Sequence, residues 1–183
     1  MILSDKTIRE YIDCGKIEIL PQFDHADIRP TGIRLHLSEE LLVPIEGQTI
    51  DLSSDVEVQF QRITIADTGY YLKPNMFVLG STSERILTPS NIVCHLEGRS
   101  TIARLGLSIH CTSGVIDSTH DEARSIVLEI KNSGPFEIIL KPRGAIAMLL
   151  FSELTEPISQ RSQSQYKGQQ AVLPPNLKYI KGT

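Results

Sequence analysis

The 183 residues carry 40% hydrophobic and 22% charged side chains, an ordinary globular balance and enough chain for one compact domain but little for two. A net charge of -4 and a pI near 5.7 leave no basic footprint, so no nucleic-acid partner is expected and phosphate binding must rest on a few placed cations. Trp is absent, which leaves Ile, Leu and Val to build the core. Cys14, Cys94 and Cys111 lie far apart with no C-x-x-C pair, the pattern of reduced thiols. No apolar run reaches membrane-spanning length, and Met1-Ile2-Leu3 passes straight into Ser4-Asp5-Lys6. The expectation is a cytoplasmic protein with no signal peptide and no membrane partner.

The chain opens on a helix signal. Ser4 is a candidate N-cap, Leu3 can staple onto Ile8, Tyr11 and Ile12 share the face of Ile8, and Gly15 supplies the stop. Ile17 to Leu20 reads as a short strand ended by Pro21. Strand patterns then dominate: Val56 to Phe60, Ile63 to Ile65, Tyr70 to Leu72, Met76 to Leu79 and Ile92 to Leu96, punctuated by Pro74, Gly80 and Pro89. Ser100 to Leu105 interrupts them as a helix ended by Gly106. Ser125 to Lys131 and Phe136 to Leu140 flank Asn132-Ser133-Gly134, a hairpin-turn composition. Ala145 to Phe151 is nearly continuous in apolar residues and predicts a strand buried on both faces. Many short strands at this spacing indicate an all-β barrel or jelly roll. From Ser159 to Gln170 the chain is rich in Ser and Gln without apolar periodicity, as a mobile tail would be.

Three places could carry chemistry. Glu97 to Leu107 holds a Gly turn leading into a helix start with Arg99, Ser100, Thr101 and Arg104. Backbone N–H groups and forked guanidinium donors there suit phosphate, although a solvated charged turn has the same composition. Glu129 shares one strand face with Val127 and Lys131, opposite Ile126, Leu128 and Ile130. It is either a partly desolvated acid–base group or an exposed strand carboxylate. Asp117 closes Ser113-Gly114-Val115-Ile116-Asp117, either at the mouth of a site or as a turn cap. His95-Leu96-Glu97 matches half of a zinc deaminase signature, but the P-C-x-x-C half is missing. A zinc site is therefore not expected, and no residue is assigned as a metal ligand.

Taken in order, these segments resemble the dCTP deaminase family and, through it, the trimeric dUTPases. Glu97 to Leu107 is similar to E-G-[RK]-S-S-x-[AG]-R-L-G-L, and His110 to Asp117 to H-x-T-A-G-x-I-D. Ile126-Val127-Leu128-Glu129 with Asn132-Ser133-Gly134 is similar to the catalytic strand. Met1 to Asp5, Phe77 to Thr82 and Tyr166 to Gln170 resemble the family's start, central strand and closing arm.

The resemblance implies a mainly β fold, a distorted jelly-roll-like β-barrel of the dUTPase type, with a short N-terminal helix and a helix after the phosphate-binding turn. Residues 1–158 would form the barrel and 159–183 a mobile C-terminal arm closing over the nucleotide. It also implies a homotrimer with shared active sites acting on dCTP or dUTP, with Mg²⁺ bound through the triphosphate. Glu129, Ser100 and Arg104 would be catalytic. Arg99, Ser100, Thr101, Arg104, Ser113, Asp117, Val127 and Gln169 would bind substrate. The implied activity is zinc-independent hydrolytic deamination of dCTP to dUTP, with possible continuation to dUMP. A dUTPase without deamination and a non-catalytic nucleotide-binding regulator are the alternatives. The chain departs from the family pattern after Asp117, where Ser118 to Arg124 is two residues longer than P-G-[WF]-x-G and lacks both glycines. His120 stands there in place of an aromatic. Arg34 replaces an Asp, Gln165 a Lys and Ile158 a Tyr.

Overall fold

The computed structural model describes residues 1–117, 121–159, 166 and 169–179. Helix α1 (Asp5–Asp13) starts as its sequence dictates. The Ser4 side chain accepts from the Thr7 amide, and Leu3 and Ile8 are both buried. Gly15 then turns the chain at φ 73°, a left-handed conformation that costs glycine least.

The strands follow in chain order: β1 (Glu18–Leu20), β2 (Ile28–Arg29), β3 (Gly32–His36), β4 (Glu40–Pro44), β5 (Phe60–Thr64), β6 (Tyr70–Leu72), β7 (Phe77–Leu87) and β8 (Ile92–Gly98). A single turn of helix, α2 (Ser100–Ala103), precedes β9 (Leu107–Ser108), β10 (Val115–Ile116), β11 (Arg124–Asn132), β12 (Ile138–Leu140) and β13 (Ala145–Glu153). Among the described residues they form a six-stranded sheet, β5-β4-β7-β11-β9 with β1 also on β7, and a five-stranded sheet, β10-β8-β13-β3-β2. A two-stranded sheet joins β12 to β6. The fold is mainly β and jelly-roll-like, its sheets open rather than closed into one barrel. Leu35, Leu96, Leu128, Ile130, Leu149 and Phe151 meet in its main core with at most 1% exposure. Each such side chain contributes about 1.5–3 kcal/mol by leaving water.

Several sequence expectations are corrected. Val56 to Gln59 is not strand: the Gln48 side chain bonds both the N–H and the C=O of Gln59, at 2.7 and 2.9 Å. The Gln48 side chain, eleven residues away, thus supplies the partner of the Gln59 N–H in place of a strand, and β5 begins only at Phe60. The Asn132-Ser133-Gly134 turn does not make a hairpin, because β11 pairs with β7 and β9 while β12 pairs with β6. Asn132 explains the divergence. Its fully buried amide donates to the carbonyls of Leu72 and Phe136, tying the turn to β6. Strand β13 alternates, with Met148 and Leu150 half-buried between buried neighbours, so only one of its faces lies in the core. Arg34, in place of the family's Asp, pairs with Asp27 at 3.4 Å.

Candidate active site

Strand β11 positions the central carboxylate. Beyond Ser125 its burial alternates, with Leu128 and Ile130 buried and Val127 and Glu129 half-buried on the opposite face. Glu129 lies opposite Leu79 of β7 in the ladder. On its other side the chain after β9 runs alongside, and the Glu129 amide donates to the Ile109 carbonyl at 2.9 Å. Two residues on, the Cys111 amide donates to Oε2 of Glu129 at 2.8 Å. The carboxylate is thus oriented and still open on one side. Burial, and secondarily the Glu129 charge, push the Cys111 thiol above its usual pKa, which keeps it protonated beside the carboxylate.

The open side faces a cavity of about 410 Å³. Glu129, Ser113, Ser125, Arg124 and Gln169 supply its polar wall, while Phe60, Phe77 and Val127 supply apolar surface. A few polar groups in a largely apolar hollow are what a small-molecule site requires. Ser113 reaches it because residues 109–114 cross from the six-stranded sheet to β10 of the other sheet, with the Leu96 amide bonded to the Gly114 carbonyl at 2.7 Å.

Described residues of the C-terminal segment close one end. Ser125 donates through its amide to Gln169 O at 3.3 Å and through its hydroxyl to Gln170 O at 3.1 Å. Val172 is fully buried against Leu42 and Leu79, and Arg62 donates to its carbonyl at 3.1 Å. Gln169, only 6% exposed, lines the cavity, as does Val127.

The residues expected to meet phosphate lie elsewhere on the chain. Arg99, the residue preceding α2, donates to the Ala145 carbonyl at 2.6 Å. Ser100, Thr101 and Arg104 are exposed, and none of the four lines the 410 Å³ cavity. With one turn only, α2 has little macrodipole, so anion binding there falls to side chains and local N–H groups. Its position is fixed by close backbone contact. A Cβ on Gly106 would stand 2.5 Å from the Gly134 amide, and one on Gly134 would strike the Leu105 carbonyl. Asp117 lines a second, smaller cavity of about 20 Å³ together with Arg124. Of the sequence candidates, one chain therefore brings together Glu129, Ser113, Val127 and Gln169, and does not bring Arg99, Ser100, Thr101 or Arg104 to them. His120 and Gln165 lie outside the described residues. Among the described residues no three His, Cys, Asp or Glu side chains form a group able to hold a metal, and no helix is long and apolar enough to cross a membrane.

Sequence reading missed Arg124, Ser125, Phe60 and Phe77 as cavity residues. The alternation around Glu129 could have placed Ser125 on its face; Arg124 stands on the Ile126 side of β11 and lines both cavities from there.

The sequence model of the dCTP deaminase-like family matches residues 2–154. The chain is 35% identical over 161 residues to a "dCTP deaminase, dUMP-forming" of Methanobrevibacter smithii, covering 85% of this chain and 82% of that protein. It is 36% identical over 188 aligned positions to a dCTP deaminase of Pseudoalteromonas atlantica, covering 94% of each. The crystal structure of 2′-deoxycytidine 5′-triphosphate deaminase from Agrobacterium tumefaciens shares the fold at a TM-score of 0.63 and 15% identity, over 82% of this chain and 47% of that one. The family model's match over residues 2–154 and the relatives at 35–36% identity show that this chain belongs to the dCTP deaminase-like family.

Proposed function

We propose that the chain hydrolyses dCTP to dUTP and ammonia, with Glu129 as its acid–base group. The observation that carries this reading is a carboxylate held by the Cys111 amide at 2.8 Å and facing a cavity of about 410 Å³, in a chain of this family. Glu129 takes a proton from water as the oxygen adds to C4 of cytosine, and passes that proton to N3. It then takes the proton of the new C4 hydroxyl and gives it to the amino group. The C–N bond breaks, ammonia departs and C4 becomes a carbonyl. One carboxylate serves both transfers because it ends each cycle in the state in which it began. Ser100 and the backbone near Ser113 hold the water, Val127 borders the base, Asp117 accepts from the sugar 3′-hydroxyl, and Gln169 covers the nucleotide.

Arg99, Ser100, Thr101 and Arg104 bind the triphosphate. They combine two guanidiniums with two hydroxyls, a set suited to phosphate oxygens and without a carboxylate of its own. It fits a Mg²⁺ ion ligated by the triphosphate and water rather than by protein. When bound, that ion neutralises phosphate charge. These residues do not line the cavity of their own chain, which supports a homotrimer in which a neighbour's α2 completes each site. Light scattering of the purified protein tests this, and a monodisperse monomer in the presence of nucleotide would count against shared sites. Three unpaired thiols suit a cytoplasmic location.

Continuation to dUMP and pyrophosphate is the second reading, supported by the relative named as dUMP-forming. Incubation with dCTP or dUTP and Mg²⁺, with chromatography of products and an ammonia assay, decides among these. Ammonia with dUTP supports deamination alone, and ammonia with dUMP supports the coupled reaction. Pyrophosphate from dUTP without ammonia from dCTP would make the protein a dUTPase. Binding without turnover would make it a regulator.

A further inference from the structure

Arg62 takes no part in the chemistry just described, yet the ladders set it in one row with Glu129. Arg62 pairs with Leu42 across β5 and β4, Leu42 with Leu79 across β4 and β7, and Leu79 with Glu129 across β7 and β11. Cross-strand partners project from one face, so all four side chains stand on the side of the sheet that bears the cavity. Arg62 occupies the edge of that row, because β5 is the end strand. It is exposed, so its removal opens no hole in the core.

Residues 169–175 run along this face. Ser125 holds their start through the Gln169 and Gln170 carbonyls, and Val172 is buried on Leu42 and Leu79. Apolar burial keeps the segment down but has no direction, so it leaves the rotation of the next peptide unset. Arg62 supplies that direction. Its Nη2 donates to the Val172 carbonyl at 3.1 Å, while Glu40 accepts from Nη1 at 2.6 Å and keeps the fork in place. Leu173-Pro174-Pro175 follows. The two prolines bring no N–H by which the sheet could hold them. Their fixed φ, and the extended backbone that each imposes on the residue before it, pass the orientation of one peptide along the run. Leu173 and Pro175 both line the cavity of about 410 Å³, so the Arg62 bond stands immediately before a wall of the site.

On the reading of the cavity as the dCTP site, we propose that Arg62 is a positioning residue: it sets the Val172–Leu173 peptide and thereby places Leu173 and Pro175 against the nucleotide. Arg62 itself touches no substrate and acts only through that wall. Without its bond the segment stays seated by Val172, but the peptide beyond is free to turn and the wall loses its fixed place.

The test reads dCTP binding by calorimetric titration in a full-length Glu129→Gln background, and ammonia release in chains that keep Glu129. Arg62→Met retains the apolar stem and removes the donors, and it should weaken dCTP about threefold to tenfold. In a chain that also carries Leu173→Ala and Pro175→Ala, the same substitution should change affinity about twofold or less, because the wall it places is already gone. In turnover the loss should appear in KM more than in kcat, since the wall meets the nucleotide and not the reacting carbon. Should Arg62→Met fail to fold, Arg62→Gln, too short to reach both acceptors, carries the same comparison with the same expectation. An affinity indifferent to Arg62, or an equal loss with and without the wall residues, would overturn the anchor and leave the deamination reading standing. Wild-type chain that binds dCTP with this pattern but releases no ammonia would overturn deamination and leave the anchor. No binding of dCTP at all would overturn both.

Discussion

The Cys111 amide and the Glu129 carboxylate meet at 2.8 Å, across a junction where residues 109–111 leave β9 and run beside β11. An amide donor on one carboxylate oxygen fixes the plane of the group and leaves the other oxygen to the cavity. The carboxylate is therefore oriented before any nucleotide arrives, which lowers the cost of reaching a reactive geometry.

Glu129→Gln keeps an acceptor for the Cys111 amide and nearly the same volume, but it cannot take a proton at neutral pH. Ammonia release should fall by the ~10²–10⁴-fold typical of a lost general base, or further. Binding of dCTP should persist, since Arg99, Ser100 and Arg104 come from another segment. A rate close to wild type would reduce Glu129 to a strand carboxylate.

Arg104→Ala should weaken dCTP more than deoxycytidine. Arg104 is exposed, and its proposed bonds go to phosphate oxygens, worth about 1.5–3 kcal/mol where a charged group is involved. Equal loss for both ligands, measured by titration, would show that Arg104 does not meet phosphate.

Deletion of residues 159–183 should impair turnover and also lower the melting temperature. Val172 is fully buried and Leu177 is 7% exposed, so the deletion uncovers Leu42 and Leu79. At about 1.5–3 kcal/mol for each of these two side chains and about 2–4 °C per kcal/mol, the drop should be roughly 6–24 °C. An unchanged melting temperature would mean that these contacts contribute nothing in solution.

Alkaline pH should reveal Cys94. Burial in β8 pushes its thiol from 9.0 up to about 12. Above the unfolded value the unfolded chain sheds a proton that the native chain keeps, so stability falls as pH rises. The contribution is intact below about pH 9 and is lost between about pH 9 and pH 12, at about 1 kcal/mol per pH unit. Cys94→Ala should flatten that slope in denaturant titrations, and an equally steep slope would place the titration elsewhere.

Much of the site was legible in the order of residues, and the reason is local. Ile126, Leu128 and Ile130 alternate with Val127 and Glu129, so a single buried face dictated where the carboxylate points. Helix α1 was legible because Ser4, Leu3, Ile8 and Gly15 each act within a few residues of one another. What escaped depended on partners distant in sequence. The Gln48 amide took the Gln59 backbone out of a strand that Val56 and Val58 advertised, and Asn132 tied an apparent hairpin turn to β6. The burial of Val172 against Leu42 and Leu79 joins segments far apart in the chain, and no periodicity announces it. Arg124 escaped because it stands on the Ile126 side of β11, the side that alternation assigns to the core, and yet lines both cavities.

The ladder between β7 and β11 limits how the chain can change length. Between Ser125 and Val127, β11 advances two residues while β7 runs four, from Arg85 to Ser81. The extra residues therefore belong to β7, and β11 keeps its two-residue alternation from Arg124 to Glu129. A strand with strict alternation passes any single-residue gain or loss on to every side chain between the change and the next turn. One residue gained or lost between Arg124 and Glu129 would turn the carboxylate from the cavity to the core, whereas β7 already carries added length opposite Ile126 without disturbing that face.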